Sequence, residues 1–316
     1  MQGPAGLVAG RVAQAVLVAL VVGIVSFIMM QALPGDAAFR IAAGRYGYDI
    51  MDAAAAEAVR IELGLDRPLI AQLGTWLTQL FTLNLGNSLV SGEPVWDELS
   101  HQLGASLLLA ITSIMASVLI AIPFGIAAGL SPGSRFDRIS LAMSVGLRSV
   151  PAFAMGVVLM LFLAVEAKLL PVAGYGELHH LILPSLTLGL GLAAVSNRVI
   201  RDSVLAATQS EWFSFARTKG LGRWTALRRH ALRNAAVPAV AYVGVQLAFL
   251  IEGVVIIESV FAWPGIGHAL VHAIFERDIP MVQGTVLVLG LLFVVLSLIV
   301  DITCRALDPR ETSRPV

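Results

Sequence analysis

The stretch EWFSFARTKGLGRWTALRRHALRNAAVP, residues 211–238, decides the fold of this chain. It carries six basic side chains against the single acid Glu211, and a strongly apolar segment lies on each side of it. A basic loop between two membrane spans is expected on the cytoplasmic side of the membrane. The sequence therefore predicts a multi-pass membrane protein in which residues 204–235 form a cytoplasmic loop.

Composition supports the same class of protein. Of the 316 residues, 57% are hydrophobic and only 13% are charged, whereas soluble domains carry about 25% charged residues. The sole cysteine, Cys304, excludes an internal disulfide. The chain contains no Gly-Lys dipeptide and so no Walker A loop. Any ATP hydrolysis must come from another polypeptide.

Six segments are long and apolar enough to span a bilayer, which requires about 20 residues. They lie at 12–33, 104–130, 139–164, 181–203, 236–260 and 282–304. The first segment could be a signal peptide, but its apolar run is longer than the 7–15 residues typical of such peptides. We interpret it as an uncleaved span. The chain is thus predicted to be an all-α polytopic membrane protein with six transmembrane helices.

The basic residues orient these spans. With both termini and the loops at 131–138 and 204–235 in the cytoplasm, 15 of the 21 basic residues lie on that side, counting the span-end residues Arg148, Arg198, Arg201 and Arg305. The predicted organisation is a cytoplasmic amino terminus and first span (1–33), an extracytoplasmic helical insert (34–103), a five-helix core (104–304) and a cytoplasmic tail (305–316). In the insert, we expect helices at 53–63 and from Pro68, a loop at 84–94, and a short amphipathic turn at 95–99.

The basic loop has an internal pattern of its own. A first helix is predicted from Glu211 to about Lys219, with Trp212, Phe215 and Ala216 on one face. Gly220 and Gly222 allow a sharp turn, because glycine reaches positive φ without steric cost. A second helix is predicted at 224–233, ahead of the next span. The pattern favours a docking surface, and the alternative is a loop that only binds lipid headgroups and fixes topology.

The same loop carries a resemblance to a known family. Residues 214–220, SFARTKG, resemble the coupling loop of permease subunits in bacterial binding-protein-dependent ABC importers, whose consensus is Glu-Ala-Ala-x-x-x-Gly. The second alanine and the glycine match, while Ser214 and Phe215 replace the acid and the first alanine. Further segments are similar to the peptide and nickel branch of that family: LGLDRP at 63–68, LGNS at 85–88, IESVFAWPGIG at 257–267, RDIP at 277–280 and LDPR at 307–310.

This resemblance implies a type I importer permease core and a set of partners. The chain would pair with a second, non-identical permease, two cytoplasmic ATPase subunits and an extracytoplasmic solute-binding protein, in a lipid bilayer and without nucleic acid. ATP and Mg²⁺ would be bound by the ATPase subunits, and this chain would need no cofactor of its own. The solute would be a di- or oligopeptide or a related small molecule, with nickel or another metal chelate as the alternative. The residues expected to couple to the ATPase are Trp212, Phe215, Ala216, Arg217, Lys219, Gly220 and Leu221.

Acidic residues inside a span are costly and are treated first as functional candidates. Glu252, in the span at 236–260, is predicted either to line the translocation path or to pair with Arg148 or another buried polar group. Glu258 is expected to brace the external turn that follows. A path or external-gate role is predicted for Glu252, Glu258, Phe261, Trp263, Pro264 and Gly265, and a purely structural turn is the alternative.

Two other classes of protein were considered. A stand-alone secondary transporter would show internal repeats, and an integral membrane enzyme would need a catalytic cluster at one membrane face. Neither is recognisable in the sequence. His268 and His272 are spaced i, i+4, a spacing that suits a metal, but two histidines on an exposed helix more often form a solvated surface. No metal site and no catalytic residue are predicted.

Overall fold

Every regular element in the described part of the chain is a helix. The structure is a computed structural model that describes residues 4–32, 35–36, 38–39, 42–43, 53–62, 64–82, 84–228, 232–276 and 278–307, without the side chain of Glu252 and a few others. Its helices are α1 (Pro4–Ala32), α2 (Ala53–Glu62), α3 (Leu69–Phe81), α4 (Val95–Leu130), α5 (Arg135–Ser149), α6 (Ala152–Leu159), α7 (Leu178–Thr208), α8 (Glu211–Thr218), α9 (Arg223–Ala226), α10 (Leu232–Val260), α11 (Ile266–Glu276) and α12 (Ile279–Leu307). The predicted all-α fold class is confirmed. Leu63, Arg277 and residues 308–310, which belong to motifs quoted above, lie outside the description.

Four described helices are long and apolar enough to cross a membrane. They are Gly6–Met29, Val95–Leu130, Leu178–Thr208 and Ile279–Ala306, and the pair Arg135–Ser149 and Ala152–Glu166 makes a fifth if it is counted as one span. The remaining predicted span, 236–260, falls within α10, where several side chains are outside the description. The count of six spans stays a prediction.

The third predicted span, 139–164, is not one straight helix. α5 and α6 meet at an angle of 104° across Val150 and Pro151. Proline disfavours helical backbone in the residue before it, and Val150 is accordingly extended, with φ −90° and ψ 126°. The predicted span is therefore broken at Pro151. α6 then continues as π-helical turns over Met160–Glu166.

One element boundary was predicted wrongly. Residues 95–99, expected as a short separate turn, are the first turns of α4, which runs unbroken to Leu130. An amphipathic turn continues this helix beyond its apolar part, and apolar length alone does not detect such an extension. In the basic loop, the described residues of the second predicted helix are helical: α9 is followed by π-helical Leu227 and Arg228, and α10 begins at Leu232 with Pro238 inside it. Residues 229–231 lie outside the description, so the extent of that helix stays a prediction.

The described helices form two compact units. The first unit contains residues 107–263 with both chain ends, and in it α4 packs closely on α7. A β-carbon added at Gly125 would lie 2.9 Å from the carbonyl oxygen of Asn197, and one added at Gly129 would lie 2.7 Å from that of Arg201. Small residues at such crossings let helix backbones approach each other inside a membrane.

The second unit contains residues 8–106 and 264–294. Its core joins the end of the insert, α11 and the start of α12, with Leu85, Val95, Leu99, Ile266 and Leu287 among its buried members. The predicted insert helices are confirmed as α2 and α3, with Gly64 at φ +63° after the first and Pro68 directly before the second. The loop predicted at 84–94 is also confirmed as non-helical in its described residues.

The carboxylate of Asp278 fastens that loop to α12. It accepts hydrogen bonds from the hydroxyl of Ser88 and from the backbone N–H of Leu89 at 3.1 Å. It also caps α12 by accepting from the backbone N–H of Met281 at 3.2 Å. Asp278 is 2% exposed, so this buried carboxylate has a structural role.

Candidate functional site

Local capping signals define the first helix of the basic loop. The hydroxyl of Ser210 accepts from the backbone N–H of Phe213 at 3.4 Å and so caps α8 at its start. At its end, Gly220 takes φ +89°. The backbone N–H of Gly220 donates to Arg217 at 3.0 Å and that of Leu221 donates to Ala216 at 3.3 Å. This bonding closes the helix as a Schellman-type cap, which needs a left-handed residue at the position of Gly220.

The inner face of α8 forms a small core with the segment that follows. Phe213 and Ala216 are buried and pack with Ala226 and Leu227, and Leu221 packs against them half-buried. We predicted that Ala216 shares one face with Trp212 and Phe215, and this was wrong. Phe213 sets the inward direction, and Ala216, three residues later, follows it. Ala216 therefore supports the shape of the segment from inside.

The outer face of α8 is apolar and cationic. Trp212 is 40% exposed and Phe215 is 61% exposed. The Lys219 ammonium lies 4.6 Å from the centre of the Phe215 ring, and Arg217 is exposed beside them. Large aromatic side chains surrounded by positive charge are typical of protein–protein contact surfaces, since tryptophan and arginine are enriched among residues that dominate binding.

A buried ion pair lies just before this segment and was not predicted. Arg201, two turns before the end of α7, donates from Nε and Nη2 to the two carboxylate oxygens of Asp137, at 2.9 and 2.8 Å. Asp137 also accepts from the backbone N–H of Gly133 at 2.8 Å. This clamp of Arg201, Asp137 and Gly133 ties the end of α7 to the start of α5 and to the turn before it. Its partners are 64 residues apart in sequence, so no local signal pairs them.

The predicted external turn is a second ordered feature. Glu258, Phe261 and Trp263 are almost completely buried. The backbone N–H of Trp263 donates to the carbonyl of Glu258 at 2.8 Å, and Ala262 between them takes φ +50°. α10 thus ends in the same kind of cap as α8, with alanine where glycine is usual. The brace expected at Glu258 acts at least through its backbone carbonyl.

Aromatic packing fixes this turn within the first unit. The backbone N–H of Gly174 donates to the carbonyl of Phe261 at 3.0 Å, and the Tyr175 ring meets the Trp263 ring edge-on at 4.9 Å between centroids. A β-carbon at Gly156 would come within 3.1 Å of the Phe261 ring. The next two predicted gate residues follow directly in the chain, Pro264 half-buried and Gly265 buried.

A small cavity of about 90 Å³ lies among α5, α6, α7 and α10. Polar groups in its lining include Arg148, Tyr242 and Gln246. The amide of Gln246 donates to the carbonyl of Leu192 at 2.8 Å and accepts from Ser196 at 3.0 Å. Gly253, directly after Glu252, also lines the cavity, whereas the side chain of Glu252 is outside the description. Tyr242 and Gln246 could have been recognised in the sequence, because they are polar residues within the predicted span 236–260.

The two histidines on α11 lie against each other. The ring centroids of His268 and His272 are 4.5 Å apart in an edge-on arrangement. Burial, and then the neighbouring His272, lower the pKa of His268 below its usual value. Among the described residues, no group of three or more His, Cys, Asp or Glu side chains is placed to hold a metal ion.

Comparison with known proteins gives the family. Residues 121–313 match the family described as binding-protein-dependent transport system inner membrane component, and residues 6–110 match its amino-terminal region. The glutathione transport system permease protein GsiC of Pectobacterium atrosepticum is 39% identical over 290 residues, which are 92% of this chain and 93% of that protein. A Brucella abortus protein, provisionally named a peptide transport system permease protein, is 37% identical over 96% of this chain and 98% of its own length. GsiC of Salmonella choleraesuis is 37% identical over 92% of this chain and 93% of its own. The chain therefore belongs to the inner membrane components of binding-protein-dependent transport systems, and it is a multi-pass transport subunit of the inner membrane.

Proposed function

We propose that this chain is the permease subunit of an ATP-driven importer of small peptides, and that α8 docks on a cytoplasmic ATPase. The docking role is supported by the two faces of α8, one buried and one exposed. Its inner face is held in a core by Phe213 and Ala216, while Trp212, Phe215 and Lys219 project outward. A helix that is supported from inside can transmit movement, because packed elements shift as units.

The proposed transporter contains four kinds of subunit. This chain pairs with a second, non-identical permease, and two ATPase subunits bind ATP and Mg²⁺ on the cytoplasmic side. An extracytoplasmic solute-binding protein delivers the solute. The distribution of basic residues supports cytoplasmic termini and a cytoplasmic α8.

Peptides are the proposed solute class because of the relatives' names. The proteins at 37–39% identity are named for glutathione, a tripeptide, and for peptides, over more than nine-tenths of each chain. A nickel or metal-chelate solute is the alternative. In this proposal Arg148, Tyr242 and Gln246 face the path from their cavity, with Glu252 as a further candidate from α10. The turn of Glu258, Phe261, Trp263, Pro264 and Gly265 acts at the external mouth.

The docking role can be tested with Trp212→Ala and Phe215→Ala. Cells that lack the native protein would express each variant, and uptake of a labelled dipeptide, a tripeptide and nickel would be measured together with copurification of the ATPase. We expect each variant to insert normally, to lose ATPase copurification and to lose uptake. The matched control is Phe81→Ala, which removes an equally exposed ring, 57% accessible, from the insert.

The outcomes separate the two parts of the proposal. Normal copurification and uptake in both α8 variants would overturn the docking role. Uptake of nickel but of neither peptide by the unmodified protein would overturn the solute class and leave the docking role standing.

A further inference from the structure

The second unit contains a cleft that is separate from the features assigned to transport above. It has a volume of about 360 Å³ and lies between the end of α1, α3, the loop at 84–94 and the start of α12. Phe27, Trp76 and Leu85 contribute apolar surface, and Arg67, Asn87 and Gln283 contribute polar groups. Ligand sites in proteins typically have volumes of about 300–1,000 Å³ and combine an apolar lining with a few polar groups.

Gln283 is the residue that points to a ligand. The residue is 6% exposed, and its side-chain amide makes no hydrogen bond in the part of the chain that the structure describes. The amide atoms are not among the fully buried, unpaired atoms, so they remain open to the cleft. Gln246, equally buried at 7%, differs in that both ends of its amide are bonded within the protein.

The rest of the lining is held in place. The indole Nε1 of Trp76 donates to the carbonyl of Gly23 at 3.0 Å, which fixes the ring. Gln72 donates to the carbonyls of Leu65 and Arg67 at 3.1 and 2.8 Å, which fixes the turn that carries Arg67. The exposed guanidinium of Arg67 forms no ion pair with any described residue. Glu62 also lines the cleft, but it already has a partner. Among the described lining residues, the amide of Gln283 and the cation of Arg67 are left to bind an occupant.

These groups define the chemistry of the occupant. A glutamine amide offers both a donor and an acceptor, and a peptide group offers the complementary pair. A guanidinium pairs best with a carboxylate, often through two parallel hydrogen bonds. Because the described lining has one unpaired cation, it suits a monocarboxylate better than a phosphate, which usually meets several donors.

We propose that this cleft is a binding site for a small peptide of dipeptide size, with its peptide group on Gln283 and its terminal carboxylate on Arg67. Asn87 lies in the lining to accept or donate a further hydrogen bond, and the Phe27, Trp76 and Leu85 surface takes the side chains. The site lies in the second unit, apart from the cavity of Arg148 and Gln246 in the first. It does not depend on which solute the importer carries.

The test is equilibrium binding to the assembled transporter in lipid nanodiscs, without the solute-binding protein. The probe is labelled alanyl-alanine, and the comparison ligand is the same dipeptide with its carboxylate converted to an amide. We expect saturable binding of alanyl-alanine, and binding of the amide at least about tenfold weaker, because a charge-assisted pair is lost. Arg67→Met and Gln283→Leu should each weaken dipeptide binding by about tenfold or more.

Arg60→Met is the control, since it removes a half-exposed arginine that pairs with Asp36 and Glu57 elsewhere in the insert. It should bind alanyl-alanine like the unmodified protein. Arg67 is exposed, so its variant is expected to fold even if Gln283→Leu does not. The proposal is overturned if alanyl-alanine shows no saturable binding up to about 10 mM, which is about four decades weaker than a site with a Kd of about 1 μM. It is equally overturned if the amide binds as well as the acid, or if Arg67→Met binds like Arg60→Met. Absence of dipeptide uptake by cells would instead count against the proposed transport function alone.

Discussion

Replacing Arg201 with methionine is expected to destabilise the protein while leaving the outer face of α8 unchanged. Arg201 holds both carboxylate oxygens of Asp137, and its Nη1 donates to Asp202 at 2.8 Å. Asp137 is 3% exposed. Without Arg201, its carboxylate keeps the backbone N–H of Gly133 as a donor but loses the counter-ion that compensates for its burial.

The size of the effect follows from the burial of the pair. Removing one partner of a buried ion pair costs about 3–5 kcal/mol. Both residues lie near helix ends, where water screens part of the charge, so we expect a loss of about 3 kcal/mol for Arg201→Met. Asp137→Asn should cost less, about 1–2 kcal/mol, because Arg201 keeps the half-exposed Asp202 as a partner and the new amide is neutral.

The assay is thermal unfolding of the purified transporter in detergent, followed by peptide uptake in cells. Arg135→Met is the matched control, because it removes an exposed arginine from the same turn. The double variant Asp137→Asn with Arg201→Met should unfold at a higher temperature than Arg201→Met alone, since no unpaired charge remains. The reasoning is refuted if Arg201→Met is as stable as Arg135→Met, or if the double variant is no more stable than Arg201→Met.

Three further predictions concern helix caps, uptake and pH. Gly220 and Ala262 both have positive φ, +89° and +50°, where glycine is less strained than alanine. Gly220→Ala should therefore lower the free energy of unfolding by about 1 kcal/mol, whereas Ala262→Gly should not lower it. Unfolding midpoints that shift in the same direction for both variants would contradict this. Gly220→Pro and Ala216→Glu should abolish uptake while membrane insertion, measured by fractionation, stays normal. The lowered pKa of His268 means that the unfolded chain binds the proton more readily, so stability should fall as pH drops below about 6.5. His268→Gln should flatten that slope between pH 5 and 7, and an unchanged slope would exclude His268 as its source.

The sequence was sufficient wherever the determining signal is local. Ser210 and Gly220 bracket α8 because a cap requires a particular residue type at each end of a helix. Gly64 and Pro68 delimit the insert helices in the same way. The long apolar spans were equally readable, because a helix in lipid must be apolar over its whole length.

The features that were missed depend on contacts between distant residues or on unusual residue choices. The pairing of Arg201 with Asp137 needs the register of α7 against α5, which helical periodicity does not supply. In the sequence, Gln283 looks like an ordinary polar residue near a span end, and only the structure shows that it lines a cleft. Ala262 gives no sign that it adopts the left-handed conformation, since alanine disfavours it. The inward direction of Ala216 depends on which side of α8 meets Leu227.

The clamp and the α8 core together explain how a surface helix could act on the membrane part of the protein. A displacement of Trp212 or Phe215 would move the core beneath them, which includes Ala207 at the end of α7. There Arg201 joins α7 to α5, and Gly129 packs α4 against the Arg201 carbonyl. A change on the outer face should therefore disrupt ATPase contact, whereas a change at the clamp should leave that contact intact and weaken its transmission. We expect Arg201→Met to retain the ATPase on copurification but to lose uptake. Phe215→Ala should instead lose both.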